Sequence, residues 1–106
     1  MKSFTTKDVD TNGTWLQGHC TTTRAQIEEV LGAPAFESSD SYEKVTTEWT
    51  IKFSDKSVAT IYDWKRYEQG SPEMNENYSW HIGGSNPDVL PKISEILGVS
   101  VYPYNL

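Results

Sequence analysis

The chain has 106 residues, a formal net charge of −6 and a sequence pI near 4.7. That length gives one domain, residues 1–106, with a core that needs no staples, and the acidic balance excludes nonspecific binding to nucleic acid or to a membrane surface, which takes a dense basic surface. Cys20 is the one cysteine, so no intrachain disulfide is possible; Met1 to Asp8 hold no apolar leader-like stretch, and a cytoplasmic location is expected.

Residues 1–14 are polar and read as a loose arm or a short edge strand, with Asp10-Thr11-Asn12-Gly13 as a turn. Trp15 to Cys20 reads as a short strand or a loop tucked on the core. A first helix is predicted over about 23–31, with Thr23 as N-cap and Gln26 completing a capping box. Ile27, Val30 and Leu31 form its apolar stripe, Glu28 and Glu29 face solvent, and Gly32 and Pro34 end it. Two to three turns are unstable alone, so the stripe must pack on something.

A Ser- and acid-rich loop follows from Ala35 to Ser41, and Tyr42-Glu43-Lys44-Val45 leads into a central hairpin over about 46–64. In its first arm Trp49, Ile51 and Phe53 alternate with Glu48, Thr50 and Lys52, giving one apolar face. In its second arm Val58, Thr60, Tyr62 and Trp64 share one face, and Ala59, Ile61 and Asp63 share the other. Ser54-Asp55-Lys56-Ser57 supplies the turn, with Lys56 where a hairpin favours Gly. Residues 65–77 read as an exposed loop. Tyr78 to Ile82 alternates again as a strand, then Gly83-Gly84-Ser85-Asn86 leads to a second helix over about 87–97, capped by Ser85 or Asn86. Val89, Leu90, Ile93, Ile96 and Leu97 form its apolar face, and Val99 to Tyr104 is a terminal edge strand or tail limited by Pro103. The fold class expected is α+β: an antiparallel sheet of three to five strands around the hairpin, with both helices on one face. That layout leaves the other sheet face to water or to a partner.

Two resemblances add to this reading. Arg24 to Pro34, followed by an amphipathic hairpin, resembles the helix-Gly-x-Pro-strand pattern of small BamE/SmpA-like domains, which implies a fold and no function. A more specific set is Gly32 and Pro34, Tyr42 and Lys44, Glu48 to Phe53, Asp55, Val58 to Lys65 and Trp80 to Gly84. It resembles a group of small tailed-phage accessory proteins whose pattern is Glu-Trp-x-Ile-Lys-Phe, an Asp-Gly turn, Val-Ala-Thr-Ile-Tyr-Asp-Trp-Lys and a late Trp-His-Ile-Gly-Gly. The chain departs from it at Lys56, where the pattern has Gly, and at Glu43, which separates Tyr42 from Lys44. The resemblance implies a viral origin and expression in the cytoplasm of an infected bacterial host. It also implies a role in binding host or defence components or sequestering nucleotide signals, and no catalytic residue.

Two stretches are candidate sites. Trp80-His81-Ile82-Gly83-Gly84-Ser85-Asn86 runs a strand into paired glycines and a helix start, which can offer free backbone N–H groups and a helix dipole to a phosphate or carboxylate, with His81 as a further donor. The alternative is a tight structural turn. Tyr62, Trp64, Lys65 and Arg66, with Lys52, form an aromatic and basic set that suits a nucleotide, against core packing as the alternative. Glu48 and Asp63 are expected to be solvated or paired with Lys52 and Lys65. His19 and Cys20, adjacent on a strand, point to opposite faces and make no nucleophile–base pair. No metal set, cofactor motif or catalytic residue is expected. The function expected is non-enzymatic: binding and inhibition of a host or defence protein. A sponge for a nucleotide-derived signal near the Trp80–Gly84 stretch is the alternative, a homodimer or higher homo-oligomer is a possible form for either, and a small enzyme ranks last.

Overall fold

The structure is a computed structural model and describes residues 4–40 and 42–104. Residues 1–3 of the expected arm and Ser41 of the expected loop lie outside the described residues. The elements in chain order are β1 (Phe4–Thr5), β2 (Trp15–Thr22), α1 (Arg24–Leu31), β3 (Phe36–Glu37), β4 (Thr47–Phe53), β5 (Val58–Tyr62), β6 (Tyr78–Gly84), α2 (Val89–Leu97) and β7 (Val101–Pro103). Among the described residues they form a seven-stranded antiparallel sheet in the order β1-β4-β5-β6-β2-β7, with β3 also pairing β4. Both helices pack on one face.

The sheet is wider than the three to five strands expected from sequence. The extra strands β1 and β3 are two residues each, too short for alternation to show, and pair with opposite ends of β4: Phe4 with Phe53, and Phe36 with Glu48. Trp15 to Thr22 is no tucked loop but an eight-residue strand between β6 and β7. A bulge between Leu16 and Gly18 breaks its period, which is why the sequence left strand and loop both open there. Gly18 is required there, because a Cβ would stand 2.2 Å from the Tyr102 carbonyl oxygen on β7.

The core follows the alternation. Cys20, Trp49, Ile51, Ala59, Ile61, Trp80 and Ile82 project from the sheet's inner face, and Ile27, Leu31, Val89, Ile93 and Leu97 cover them from the helices. Thr23 caps α1 by accepting from the Gln26 amide at 3.1 Å. The Gln26 side chain does not close the expected box; it donates to the Leu97 carbonyl at 3.0 Å and ties the two helices together. Trp49 donates its indole N–H to the Gly32 carbonyl at the end of α1, at 2.9 Å. α2 starts later than expected, at Val89 after Asp88, and Gly98 closes it in a left-handed conformation. The stretch 65–77 is not wholly exposed: Pro72 is buried, and the Met74 carbonyl accepts from Ala25 at 2.9 Å, serving the α1 N-terminus. No helix among the described residues is long and apolar enough to cross a membrane.

The β4–β5 turn carries a local cost. Lys56 donates its amide to Phe53 O at 2.8 Å, Phe53 donates to Ser57 O at 2.9 Å, and Lys56 takes φ +76°. This is a three-residue turn with the left-handed position that glycine favours. Asp55 offsets part of the cost by accepting from the Ser57 amide at 3.0 Å and by pairing with Lys92 of α2. Lys56→Gly is therefore expected to stabilise the fold by about 0.5–1 kcal/mol, a rise in melting temperature of about 2–8 °C. Gly18→Ala is expected to lower the melting temperature by pushing β7 off β2. Calorimetry on the two variants checks both signs, and a fall for Lys56→Gly would contradict the turn geometry.

Candidate functional site

The sheet face opposite the helices is built by the same alternation that builds the core. Glu48 pairs with Tyr62, Tyr62 with His81, His81 with His19, and His19 with Tyr102. Because directly opposed residues share a face, these five side chains form one row across β4, β5, β6, β2 and β7. The rings touch along it: Tyr62 stacks on His81 at 5.5 Å between centroids, and His19 lies 5.9 Å from Tyr102. Trp64, just beyond β5, stands 6.0 Å from His81 and edge-on to Tyr62.

The neighbouring row is recessed. It runs Thr50, Thr60, Gly83 and Leu16. A Cβ on Gly83 would meet Thr60 Oγ1 at 2.5 Å and the Tyr62 ring at 3.5 Å. A Cβ on Gly84 would instead meet Val89 of α2 at 2.5 Å. The glycine pair thus serves both faces of one strand: Gly83 lets Tyr62 lie flat outside, and Gly84 lets α2 approach inside.

That geometry corrects the expected anion cradle. Gly83 and Gly84 lie within β6, paired in register with β5 on one side and β2 on the other, so their amides belong to the ladder. Ser85 donates its amide to Val58 O at 2.9 Å, and its hydroxyl accepts from the Val58 amide at 3.1 Å. Asn86 Oδ1 accepts from Asp88 at 2.9 Å, and its carbonyl accepts from Val89 at 3.3 Å. The Gly83, Gly84 and Ser85 amides, which were to hold an anion, therefore have partners. Trp80 is fully buried, with its indole N–H on Thr22 O, and belongs to the core.

The aromatic and basic set divides. Tyr62 and Trp64 reach the outer face, Trp64 being 39% exposed. Lys65 is exposed and places its Nζ 5.6 Å from the Trp64 ring centre. Arg66 is engaged by its own loop, pairing with Glu76 at 3.0 Å, donating to Gly70 O at 2.9 Å and lying over the Tyr78 ring. Asp63 is neither solvated nor paired with Lys65. It is fully buried and accepts from the Thr46 amide at 2.7 Å, the Thr47 amide at 3.0 Å and the Thr46 hydroxyl. With Lys65 donating to Lys44 O at 2.7 Å, this clamp fixes the chain on both sides of Trp64.

Sequence reading missed His19, Tyr102, Phe36, Tyr42 and Tyr67 as members of this surface. The alternation of His19 with buried Cys20 was the available signal for the first. Among the described residues, hollows lie on this surface and at its edges. One of about 600 Å³ lies among Phe36, Tyr42, Trp64 and Tyr67, with Glu48 at its wall. One of about 390 Å³ lies between His19 and His81, against Ser79 and Tyr104. One of about 620 Å³ lies among Trp15, Leu90 and Tyr104.

The electrostatics are those of a partly dehydrated surface. Burial lowers the His81 pKa, the neighbouring His19 lowers it further, and Asp63 opposes both; His81 Nδ1 is buried with no partner among the described residues. Burial raises the pKa of Glu48, and burial together with Glu48 raises that of Tyr62. Cys20, on the inner face, has its thiol pushed up to about 11 by burial. Among the described residues no three or more His, Cys, Asp or Glu side chains are placed to hold a metal ion. No protein-family model, curated protein or solved structure matches the chain.

A histidine whose pKa falls on folding is protonated more readily in the unfolded chain. Its stabilisation is complete above the ordinary value of 6.5 and is lost as pH falls through that value toward the lower folded one. The urea midpoint of the wild-type chain is therefore expected to drop between about pH 7.5 and about pH 5. His81→Phe, which keeps a ring against Tyr62, is expected to show a smaller drop. Equal drops would remove His81 from the account.

Proposed function

We propose that this chain acts by binding a protein partner through the outer sheet face, in the accessory, host- or defence-directed role that the phage resemblance implies. The observation that carries the reading is the row from Glu48 to Tyr102, flanked by exposed aromatic side chains at both ends. Beside Glu48, Tyr42 is 66% exposed, and at the far end of the row Tyr102 is 54% exposed. An isolated exposed ring needs no explanation, but rings gathered along one sheet face and its margins do. Tyr and Trp are the residues that protein interfaces enrich, because each supplies a large rigid contact at small entropic cost. The fixed position of Trp64, held by the Asp63 clamp, lowers that cost again.

The nucleotide-sponge alternative draws on Lys65 over Trp64, a cation and a ring of the kind that hold a phosphate and a base. Against it, Arg66 is engaged by Glu76 and the Gly83, Gly84 and Ser85 amides by the fold, so those phosphate donors are already in use. The docking reading needs neither.

The test uses the wild-type chain, Trp64→Ser, Tyr102→Ser and the helix-side change Glu95→Lys. The wild type and Glu95→Lys are expected to retain one host protein at a fixed stoichiometry. Trp64→Ser and Tyr102→Ser are expected to lose it by more than about tenfold in affinity, with melting temperatures unchanged. Retention by both sheet-face variants with loss in Glu95→Lys would overturn the docking face. A melting temperature raised by a nucleotide, with no protein retained, would favour the sponge.

A further inference from the structure

The hollow at the β3–β4 edge has the chemistry of a cation receptor. Four rings, Phe36, Tyr42, Trp64 and Tyr67, surround its volume of about 600 Å³. Each is exposed: Phe36 46%, Tyr42 66%, and Trp64 and Tyr67 39% each. At the wall stands Glu48, half-buried on β4, whose carboxylate accepts no hydrogen bond and makes no ion pair among the described residues. A partly dehydrated carboxylate without a counter-charge is an unfavourable arrangement in the free protein. Its sheet neighbours are Tyr62 on one side and Phe36 on the other, neither of which carries a cation. Glu43 also lines the hollow, and Glu68 accepts from the Tyr42 hydroxyl at 3.2 Å. Lys44 is the one basic residue in the lining, so the acidic groups at the hollow outnumber it.

We infer that this hollow receives an arginine side chain of the protein partner, with the guanidinium against the aromatic rings and paired to Glu48. This rests on the docking reading and specifies its chemistry. The π faces of aromatic rings attract a cation, and Trp64 already takes one from Lys65, which does not line the hollow. Guanidinium fits better than ammonium here. It is planar, stacks on rings, is weakly hydrated and can offer two parallel N–H donors to one carboxylate. The net charge of −6 steers a basic partner surface toward the chain from a distance, while the hollow supplies the short-range selection.

N-acetyl-arginine-N-methylamide is the probe, with the lysine analogue and the neutral, nearly isosteric citrulline analogue as controls. The readout is the indole N–H resonance of Trp64 in two-dimensional NMR. The arginine probe is expected to shift that resonance saturably. The lysine analogue is expected to bind more weakly and the citrulline analogue at least about tenfold more weakly. Glu48→Gln is expected to weaken the arginine probe by about tenfold, and Tyr67→Leu, at an exposed position, to weaken it without touching the carboxylate. Equal shifts from arginine and citrulline, or none from arginine, would overturn the inference. So would a partner that leaves Trp64→Ser but stays on Glu48→Gln with undiminished affinity, and in that case the docking reading itself survives.

Discussion

Trp49 and Trp80 meet edge to face in the core, 5.3 Å between ring centres at 79°, and the rest of the molecule depends on that contact. Both are fully buried, and each indole N–H has a carbonyl: Gly32 O at the end of α1 for Trp49, Thr22 O at the end of β2 for Trp80. A buried Trp is worth about 3–5 kcal/mol against alanine, a large share of the 5–15 kcal/mol by which a domain is usually stable. The pair also sets direction. Side chains alternate with period two, so placing Trp49 and Trp80 inward places Glu48 and His81 outward. A slip of one residue in β4 would bury the Glu48 carboxylate and expose the Trp49 indole, and the same slip in β6 would bury the His81 imidazole and expose the Trp80 indole. The surface proposed for binding is thus the other half of the pattern that makes the core.

Much of this was legible in the chain. Trp49, Ile51 and Phe53 at alternate positions marked the inner face of β4, and Ile27 with Leu31 marked the buried side of α1. Thr23 and Gly32 bound that helix as capping chemistry requires. What escaped, or stayed open between strand and loop, was whatever alternation cannot encode. β1 and β3 hold two residues each, and β2 carries a bulge that resets its period. The wide sheet is a product of long-range pairing that no local window contains.

The candidate site was half legible for a related reason. Tyr62 and Trp64 stood out by type, and His81 by its place between two apolar residues. Gly83-Gly84 misled, because two adjacent glycines before a helix read equally well as a turn with free amides. In the structure each glycine answers a steric demand, one from Tyr62 and Thr60 outside and one from Val89 inside. Those demands come from strands and a helix elsewhere in the chain. Asp63 misled likewise: a carboxylate at the end of a polar hairpin reads as solvated, yet Thr46 and Thr47, where the chain enters the adjoining strand, supply donors. His19 and Tyr102 entered the row only through the register of β2 with β6 and β7.

The central claim is that the outer sheet face, and not the helical face, is the contact surface. Hydroxyl-radical footprinting of the free chain and of its complex with the retained partner addresses it side chain by side chain. In the free chain Tyr42, Trp64 and Tyr102 should label readily and Trp49 and Trp80 hardly at all. In the complex, protection is expected at Tyr42, Trp64, Tyr67 and His19, with Met74 and the exposed residues of α2 labelled as before. Protection concentrated on α2, with Trp64 and Tyr42 labelled at their free rates, would contradict the account.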